Sequence, residues 1–222
     1  MLLLARTTRL EKVSSPTEGL SLFYTDLNRD FVDVREIKKM GRKAVDSNEV
    51  FIDGLPIPAE DLIGEEGKGF GQTLLGLNPE RILVAGECIG IARNALVRAA
   101  HYASERVIFD RPIGQNQGVQ HPLAWAWARL ESANFMVTHA AALYDAGELC
   151  GVEAKAAKLL AAAAAVEATE VAQITFGGFG YAKEYYVERL VREALLFRIV
   201  PVTPQMRLLF IPEKALGFPR PY

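Results

Sequence analysis

The residues most able to bind a charged cofactor lie in a polar segment, Glu105 to Gln117, which joins two helix-like stretches. This segment carries a guanidinium at Arg106 and a side-chain amide at Gln117. A guanidinium and an amide on one loop can hold a pyrophosphate through charge-assisted and neutral hydrogen bonds. The same residues also suit an ordinary connection between helices, in which the arginine is stabilised by the helix dipole. The segment alone leaves both interpretations open.

A second candidate segment, Gln173 to Tyr181, contains the adjacent glycines Gly177 and Gly178. Paired glycines expose backbone N–H groups, which can bind a phosphate or the edge of a flavin. Glycine clusters also end helices without any binding role, so this signal is weak by itself.

The composition is that of a folded protein without a polyanionic partner. The 222 residues are 50% hydrophobic and 23% charged, and the formal net charge is −2, which excludes disorder and gives no basic surface for nucleic acid. The cysteines Cys88 and Cys150 are not spaced as metal ligands, and they fit reduced core thiols in a cytoplasmic or matrix-like compartment. No metal is predicted. The alanine-rich stretch around Leu159 to Val166 is flanked by charges, so it predicts a buried helix and no membrane span.

The predicted secondary structure changes from β-rich to helical near residue 67. Before it, turn residues separate short β-rich runs, at Leu2 to Arg6, Leu20 to Asp26 and Val50 to Ile52. After Gly69, apolar residues recur at spacings of three and four, which is typical of amphipathic helices. We expect a kink or a fresh helix start at Asn78-Pro79, with Asn78 as the N-cap. Further helices are predicted over about 117–146, 152–176, 183–199 and 204–215.

These elements predict a mainly α fold, in which a partial β-domain over residues 1–66 precedes an up-and-down four-helix bundle over residues 67–222. The small side chains of Ala161 to Ala165 would let neighbouring helices approach closely. They also leave one flank of the bundle suited to a second subunit.

The two candidate segments belong to a longer series of motifs. Glu105 to Gln117 follows ERxxFxxPIxxxQ, and the segment that begins at Gly177 follows GGFGYxxEYxVERxxRE. The runs Ile37 to Gly41, Val50 to Pro58 and Leu62 to Phe70 complete the series upstream. In this order and at these distances, the motifs resemble the acyl-CoA dehydrogenase family over essentially the whole chain.

The resemblance implies FAD-dependent oxidation of an acyl-CoA thioester to the 2-enoyl-CoA, a step of fatty acid metabolism, with electrons passed to an electron-transfer flavoprotein. It also implies FAD bound between a β-domain and the bundle, in a homodimer or homotetramer whose Arg106 loop meets the FAD of a neighbouring subunit. The residues that match the family's FAD-binding positions are Arg106, Phe109, Gln117, Gln173, Gly177, Gly178, Thr203 and Gln205, and those that match its substrate positions are Asn78 and Arg81.

Two positions near the matched FAD residues depart from the family pattern. Asp110 stands where glycine is usual, and a carboxylate there suits a pyrophosphate only if Arg106 or Arg111 neutralises it. Ile174 stands where a glutamine is common, and Gln173 lies one place earlier, out of register with the family's cofactor contact.

The position of the usual catalytic glutamate is occupied by Pro201, which cannot accept a proton. Glu80 is the only matched candidate, because some family members carry the base on the long helix that opens the bundle. The reaction needs a carboxylate that removes the α-proton while a hydride leaves the β-carbon. Glu80 equally suits a solvent-facing glutamate of a first helical turn, stabilised by the helix dipole.

Two functions are compatible with these observations. The first is an acyl-CoA dehydrogenase. By resemblance, the chain begins inside the middle domain and lacks the first domain and the early β-strands, so we expect an incomplete flavin pocket, weak or absent FAD binding and an inactive chain when alone. The alternative is a non-catalytic remnant or helper subunit that self-associates through its helical bundle.

Overall fold

The computed structural model describes residues 1–219 and is mainly helical. Within these residues the α-helices are α1 (Gly69–Glu105), α2 (Gln117–Asp145), α3 (Gly151–Phe176), α4 (Val187–Ile199) and α5 (Pro204–Ala215). The strands are β1 (Leu2–Arg6), β2 (Leu20–Tyr24), β3 (Val32–Glu36), β4 (Asn48–Ile52), β5 (Leu62–Ile63), β6 (Val107–Ile108) and β7 (Arg111–Pro112). A small β region followed by a helical bundle confirms the predicted fold class.

The N-terminal part forms two small antiparallel sheets. One has the strand order β1-β2-β5, with Leu4 opposite Leu22 and Leu22 opposite Ile63, and the other is the β3-β4 hairpin. Leu22 of β2 and Val32 of β3 are buried, whereas β4 is exposed along its whole length. The sequence pattern located β1, β2 and the end of β4, and it missed β3 and the two-residue strands.

The bundle core contains residues from α1, α2, α3 and α4. Its central helix is α3, which packs against α2, α4 and α5. Alanines supply most of the buried positions of α3, so its neighbours approach its backbone closely. Cys88 and Cys150 are free thiols inside this core, as predicted.

Two details of the helices differ from the sequence-based expectation. Pro79 lies inside one continuous helix, so the fresh start predicted at Asn78 does not occur. The fourth bundle helix begins at Val187 and not at Lys183, because Tyr186 adopts the left-handed conformation (φ 60°) and ends a short 3₁₀ turn over Lys183–Tyr185.

The contacts divide the chain into two compact units, residues 1–77 and residues from Asn78 onward. The division falls within α1, two residues before Pro79. The first two turns of α1 therefore belong to the N-terminal unit, and the rest of the helix belongs to the bundle.

Within residues 1–219, one helical stretch is long and apolar enough to cross a membrane, Gly151–Tyr181. The pair α4–α5 passes the same test only if the two helices are counted as one span with a 48° bend. Half of the apolar window of Gly151–Tyr181 is buried. The central helix of a soluble bundle passes the same test, so the evidence for a membrane span is weak.

Candidate functional site

The segment between α1 and α2 folds as a tight hairpin. Val107 pairs with Pro112 and Ile108 with Arg111, and the two connecting residues, Phe109 and Asp110, have φ angles of 53° and 62°. Positive φ at both central residues is the geometry of a type I′ turn, which favours glycine, asparagine and aspartate. This geometry explains why aspartate can stand at 110, where the resembling family has glycine.

The hairpin is held against the end of α1. The backbone N–H of Ile113 donates to the carbonyl of Arg106 (2.8 Å), and the N–H of Arg106 donates to the carbonyl of Tyr102 (2.9 Å). A Cβ atom at Gly114 would lie 2.9 Å from the carbonyl oxygen of Ala103, so only glycine allows this approach. The position of Arg106 is therefore fixed by backbone contacts.

The structure brings the two candidate segments together in one groove, which we call the Arg106 groove. Its volume is about 410 Å³. It is lined by Tyr102, Arg106, Ile108, Ile113, Thr175, Phe176, Gly177, Gly178 and Phe179. Arg106 from the first segment thus faces the paired glycines of the second, although some 70 residues separate them in the chain.

The guanidinium of Arg106 is free to bind an anion. It is exposed and lies 5.7 Å from the ring centroid of Phe179, and within residues 1–219 it makes no hydrogen bond or ion pair. A cation held over an aromatic ring keeps its N–H groups available for a carboxylate or phosphate.

The glycines of the groove have different structural roles. Gly177 adopts φ 60° and ψ −136°, a conformation open essentially to glycine alone. A Cβ on Gly178 would have no atom within 4 Å, so this position leaves free space beside the backbone. A Cβ on Gly180 would lie 2.3 Å from the carbonyl oxygen of Gln173, so Gly180 is required for packing.

An aromatic cluster supports the floor of the groove. The rings of Tyr102 and Phe176 stack with centroids 4.2 Å apart, and Tyr185 contacts both rings edge-on. Sequence analysis missed Tyr102, Thr175, Phe176 and Phe179 as lining residues. Tyr102 could have been found, because it lies four residues before Arg106 and so shares its helical face.

Five of the eight residues predicted to bind the cofactor do not line the groove: Phe109, Gln117, Gln173, Thr203 and Gln205. Phe109 is 93% exposed at the tip of the hairpin, and Gln117 is exposed at the start of α2. The side chain of Gln173 donates to the carbonyl of Gly180 (3.4 Å) and so braces the glycine turn. Arg111 donates to Asn116 (2.6 Å), and within the described part of the chain it makes no ion pair with Asp110.

The predicted substrate and base residues lie on α1, near the other end of the bundle. Arg81 is 6% exposed, and its Nη1 donates to Oδ1 of Asn78 (2.9 Å). Glu80 is exposed. Thr203 and Gln205 are exposed at the start of α5, and Pro201 precedes them in the segment after α4.

Arg81 is one of four cationic residues that converge at this end of the bundle. Lys155 and Lys158 come from α3 and Arg207 from α5, and we call the four residues the basic cluster. Lys158 is fully buried and donates to the carbonyl of Phe197 (2.7 Å). Arg207 is 2% exposed and donates to the carbonyl of Val202.

Burial governs the ionisation of this cluster. Desolvation, reinforced by Arg207, lowers the pKa of Lys158 to about 8, although the Cys88 thiol opposes the shift. Desolvation and the charge of Arg81 lower the pKa of Lys155 to about 8. Desolvation also raises the pKa of the Cys88 thiol to about 11. No sequence pattern signalled Lys155, Lys158 or Arg207, because each lies in an ordinary helical context.

The Arg106 groove and the basic cluster are far apart along α1. Glu80 and Glu105 are 25 residues apart on this one helix, which at 1.5 Å per residue corresponds to about 38 Å. The matched residues therefore form two sites in one chain, and not a single compact site.

Among residues 1–219, no group of three or more histidine, cysteine, aspartate or glutamate side chains is placed to hold a metal ion. The chemistry of both sites is that of cations, backbone N–H groups and aromatic rings.

Comparison with known proteins identifies the family. A model of the family described as "Acyl-CoA dehydrogenase, C-terminal domain" matches residues 67–215. The chain belongs to the acyl-CoA dehydrogenase family. Members of this family are flavoprotein oxidoreductases that bind FAD and act on acyl-CoA thioesters.

Individual relatives are similar to this chain over nearly all of its length. The acyl-CoA dehydrogenase of Bacillus subtilis is 40% identical over 200 residues, covering 90% of this chain and 53% of that protein. The butyryl-CoA dehydrogenase structure from Megasphaera elsdenii matches with a TM-score of 0.91 and 31% identity, over 97% of this chain and 55% of that one. A chain in a structure described as the electron-transferring flavoprotein of Acidaminococcus fermentans matches equally well (TM-score 0.91, 31% identity, 97% and 56%). The chain spans about half the length of the curated relatives it matches.

Proposed function

We propose that this chain supplies the C-terminal, cofactor-clamping part of an acyl-CoA dehydrogenase-type enzyme that oxidises an acyl-CoA to the 2-enoyl-CoA. The observation that carries this proposal is the Arg106 groove. It joins two segments distant in sequence, and it combines an unpaired guanidinium with an open glycine surface. These are the features that a diphosphate requires.

The residues of the groove fit the adenosine-diphosphate end of FAD. Arg106 would bind diphosphate oxygens, and the space beside Gly178 would admit the diphosphate next to the backbone. The aromatic floor of Tyr102 and Phe176 offers an apolar surface of the kind on which a purine packs. When bound, the flavin accepts the hydride that leaves the β-carbon of the acyl group. We propose five further FAD contacts solely because these residues match the family's cofactor-binding positions: Phe109, Gln117, Gln173, Thr203 and Gln205.

Glu80 is our proposed catalytic base, because Pro201 occupies the usual position of the base and Glu80 is the matched carboxylate on α1. Its role is to take the α-proton of the thioester. Asn78 and Arg81 would position the substrate beside it, and the hydrogen bond between them holds Arg81 in place. The family model begins at residue 67, which supports our proposed domain boundary after residue 66.

The distance along α1 supports assembly of the enzyme from more than one copy. The Arg106 groove and Glu80 are about 38 Å apart, so in our proposal each site faces a different cofactor. A homodimer or homotetramer satisfies this requirement, because the groove of one subunit then serves a neighbour. We further propose a cytoplasmic enzyme that passes electrons to an electron-transfer flavoprotein.

A second candidate function is a non-catalytic helper that self-associates through its bundle. Two observations favour it: Pro201 stands where the family has its usual base, and the Arg106 groove accounts for only one end of the FAD molecule. In that case the chain would bind the cofactor weakly and would not oxidise an acyl-CoA when alone.

Titration of FAD, followed by quenching of flavin fluorescence, tests the proposal. Arg106→Gln should weaken binding about tenfold or more, since it removes a charge-assisted contact to the diphosphate. Arg98→Gln is the matched control, because Arg98 is an exposed arginine two turns earlier on α1, and its Nε donates to Asn94 (2.7 Å). Equal affinity for FAD in both variants would contradict a diphosphate site at Arg106.

A further inference from the structure

The basic cluster places positive charge inside the bundle, and the nearby carboxylates act on it only through charge, Glu80 on Arg81 and Lys158 and Glu87 on Lys158. Arg81, Lys158 and Arg207 are at least nine-tenths buried, and Lys155 is half-buried. Within residues 1–219, none of these four side chains donates a hydrogen bond to a carboxylate or forms an ion pair. Their acceptors are neutral: the amide oxygen of Asn78 and backbone carbonyls.

Such an arrangement is costly unless an anion accompanies it. Buried cations lose their hydration, and neutral acceptors recover only part of that loss. Lysine can respond by losing its proton, but arginine stays charged in proteins. The two arginines therefore keep two positive charges in the interior of the bundle.

Both arginines also have N–H groups without an acceptor in residues 1–219. Nε of Arg81 and Nη1 of Arg207 are inaccessible to solvent, and neither has a hydrogen-bond partner in this described part of the chain. Unsatisfied buried donors are rare in folded proteins, and those of charged groups are the most costly. These two donors belong to helices α1 and α5, so a group that used both would join the two helices.

We propose that the basic cluster binds one carboxylate group, held between Arg81 and Arg207 with Lys155 at the entrance. Nε of Arg81 offers one N–H and Nη1 of Arg207 offers two, which matches the two oxygens of a carboxylate. A phosphate has more oxygens and more charge than these donors can satisfy.

The entrance lies at Gly151, the first residue of α3. A Cβ on Gly151 would lie 3.9 Å from Asn78 Nδ2, Lys155 Nζ and a ring carbon of Phe210, so these side chains surround the glycine in ordinary contact. Lys155 Nζ lies 3.4 Å from the centroid of the Phe210 ring and donates weakly to the carbonyl of Gly151 (3.3 Å). Rotation of this side chain would give a carboxylate access to the arginines.

Nitrogen-15 NMR of the arginine Nε–H groups, with sodium acetate as the probe at constant ionic strength, tests the proposal. The Arg81 Nε–H signal should shift in a saturable manner with acetate. Arg207→Met should raise the acetate Kd about tenfold or more, because a charged donor is lost. Arg198→Met is the matched control, since Arg198 is exposed in the last turn of α4. The acetate Kd of the Arg198→Met variant should equal that of the unmodified chain.

Two results would overturn the proposal: an Arg81 signal unmoved by acetate, or an equal acetate Kd in the Arg207→Met and Arg198→Met variants. Tighter binding of inorganic phosphate than of acetate would also overturn the choice of a carboxylate. If Arg207→Met does not fold, Arg207→Lys keeps the charge and removes the forked donor, and it should still weaken acetate binding.

The carboxylate could be a free small acid or the far end of an acyl group on a thioester, and the second source rests on the proposed function. Comparison of succinyl-CoA with butyryl-CoA by calorimetry distinguishes them. Tighter binding of succinyl-CoA, lost in Arg207→Met, assigns the site to the acyl group. Equal binding of the two thioesters, with acetate binding intact, assigns it to a free acid. If FAD does not bind at Arg106, the acetate result is unchanged. The carboxylate site and the proposed function can therefore be refuted independently.

Discussion

Gly180→Ala should destabilise the chain, because the added methyl group meets backbone atoms that cannot move freely. Its Cβ would lie 2.3 Å from the carbonyl oxygen of Gln173, 3.0 Å from the carbonyl carbon and 3.1 Å from Cα. Gln173 lies in the last turn of α3, and its side chain already donates to the carbonyl of Gly180. Relief of the clash therefore requires the glycine turn to separate from α3.

The expected cost is that of overpacking, about 1–3 kcal/mol. The lower entropy of alanine in the unfolded chain offsets at most about 1 kcal/mol of that. A net loss of about 2 kcal/mol corresponds to a decrease in Tm of about 4–8 °C for a chain of this size. Circular dichroism at 222 nm during thermal unfolding measures this change, and urea titration gives the free energy of unfolding.

Gly178→Ala is the control, because its Cβ would have no neighbour within 4 Å and its φ is not positive. Its free energy of unfolding should stay within about 1 kcal/mol of the unmodified chain. This variant should still impair FAD binding, since the methyl group occupies the space assigned to the diphosphate. Equal stability of the Gly178→Ala and Gly180→Ala variants would refute the close approach of the glycine turn to α3.

Three further predictions concern ionisation, catalysis and packing. Lys158 has a pKa of about 8 in the folded chain and an ordinary value of 10.5 when unfolded, so between these pH values the unfolded state binds more protons. The unmodified chain should therefore gain stability relative to Lys158→Met by about 1 kcal/mol per pH unit from pH 8 to 9. Above pH 9 the raised pKa of Cys88 acts in the opposite direction, and because Lys158 itself lowers that pKa, the comparison is made below pH 9. In a flavin-loaded enzyme of full family length that carries this chain as its C-terminal part, Glu80→Gln should slow anaerobic bleaching of the flavin by an acyl-CoA by about 10²–10⁴-fold while FAD content is unchanged. An unchanged rate would remove Glu80 from the mechanism. Phe176→Ala should cost about 3–5 kcal/mol in urea unfolding, because its buried ring stacks on Tyr102; a loss below about 1 kcal/mol would show that the stack contributes little.

Helix periodicity predicted most of the fold, because a buried helical face leaves a regular pattern in the sequence. The bounds of α2, α3 and α5 agree with it to within one residue. The start of α4 was missed because Tyr186 adopts a positive φ, which nothing in its side chain requires. The hairpin strand β3 was missed although Val32 and Val34 alternate with Asp33 and Arg35, because two apolar residues are too few to distinguish a short strand from a polar loop.

The candidate sites were predictable only in part. Arg106, Gly177 and Gly178 were singled out because their residue types suit a diphosphate, and the structure brings all three into one groove. The aromatic floor could not be derived in the same way, since a tyrosine or phenylalanine on a helical face predicts only burial. The basic cluster depends on contacts between three helices, and the sequence gives no register between distant helices.

The position of bound ADP in a crystal of this chain tests the central claim most directly. ADP carries the diphosphate and purine that the Arg106 groove is proposed to hold, and it lacks the flavin ring. We predict electron density for the diphosphate within hydrogen-bond distance of Arg106 and beside the backbone of Gly177 and Gly178. Density for the diphosphate elsewhere, such as at the basic cluster around Arg81 and Arg207, would contradict the account.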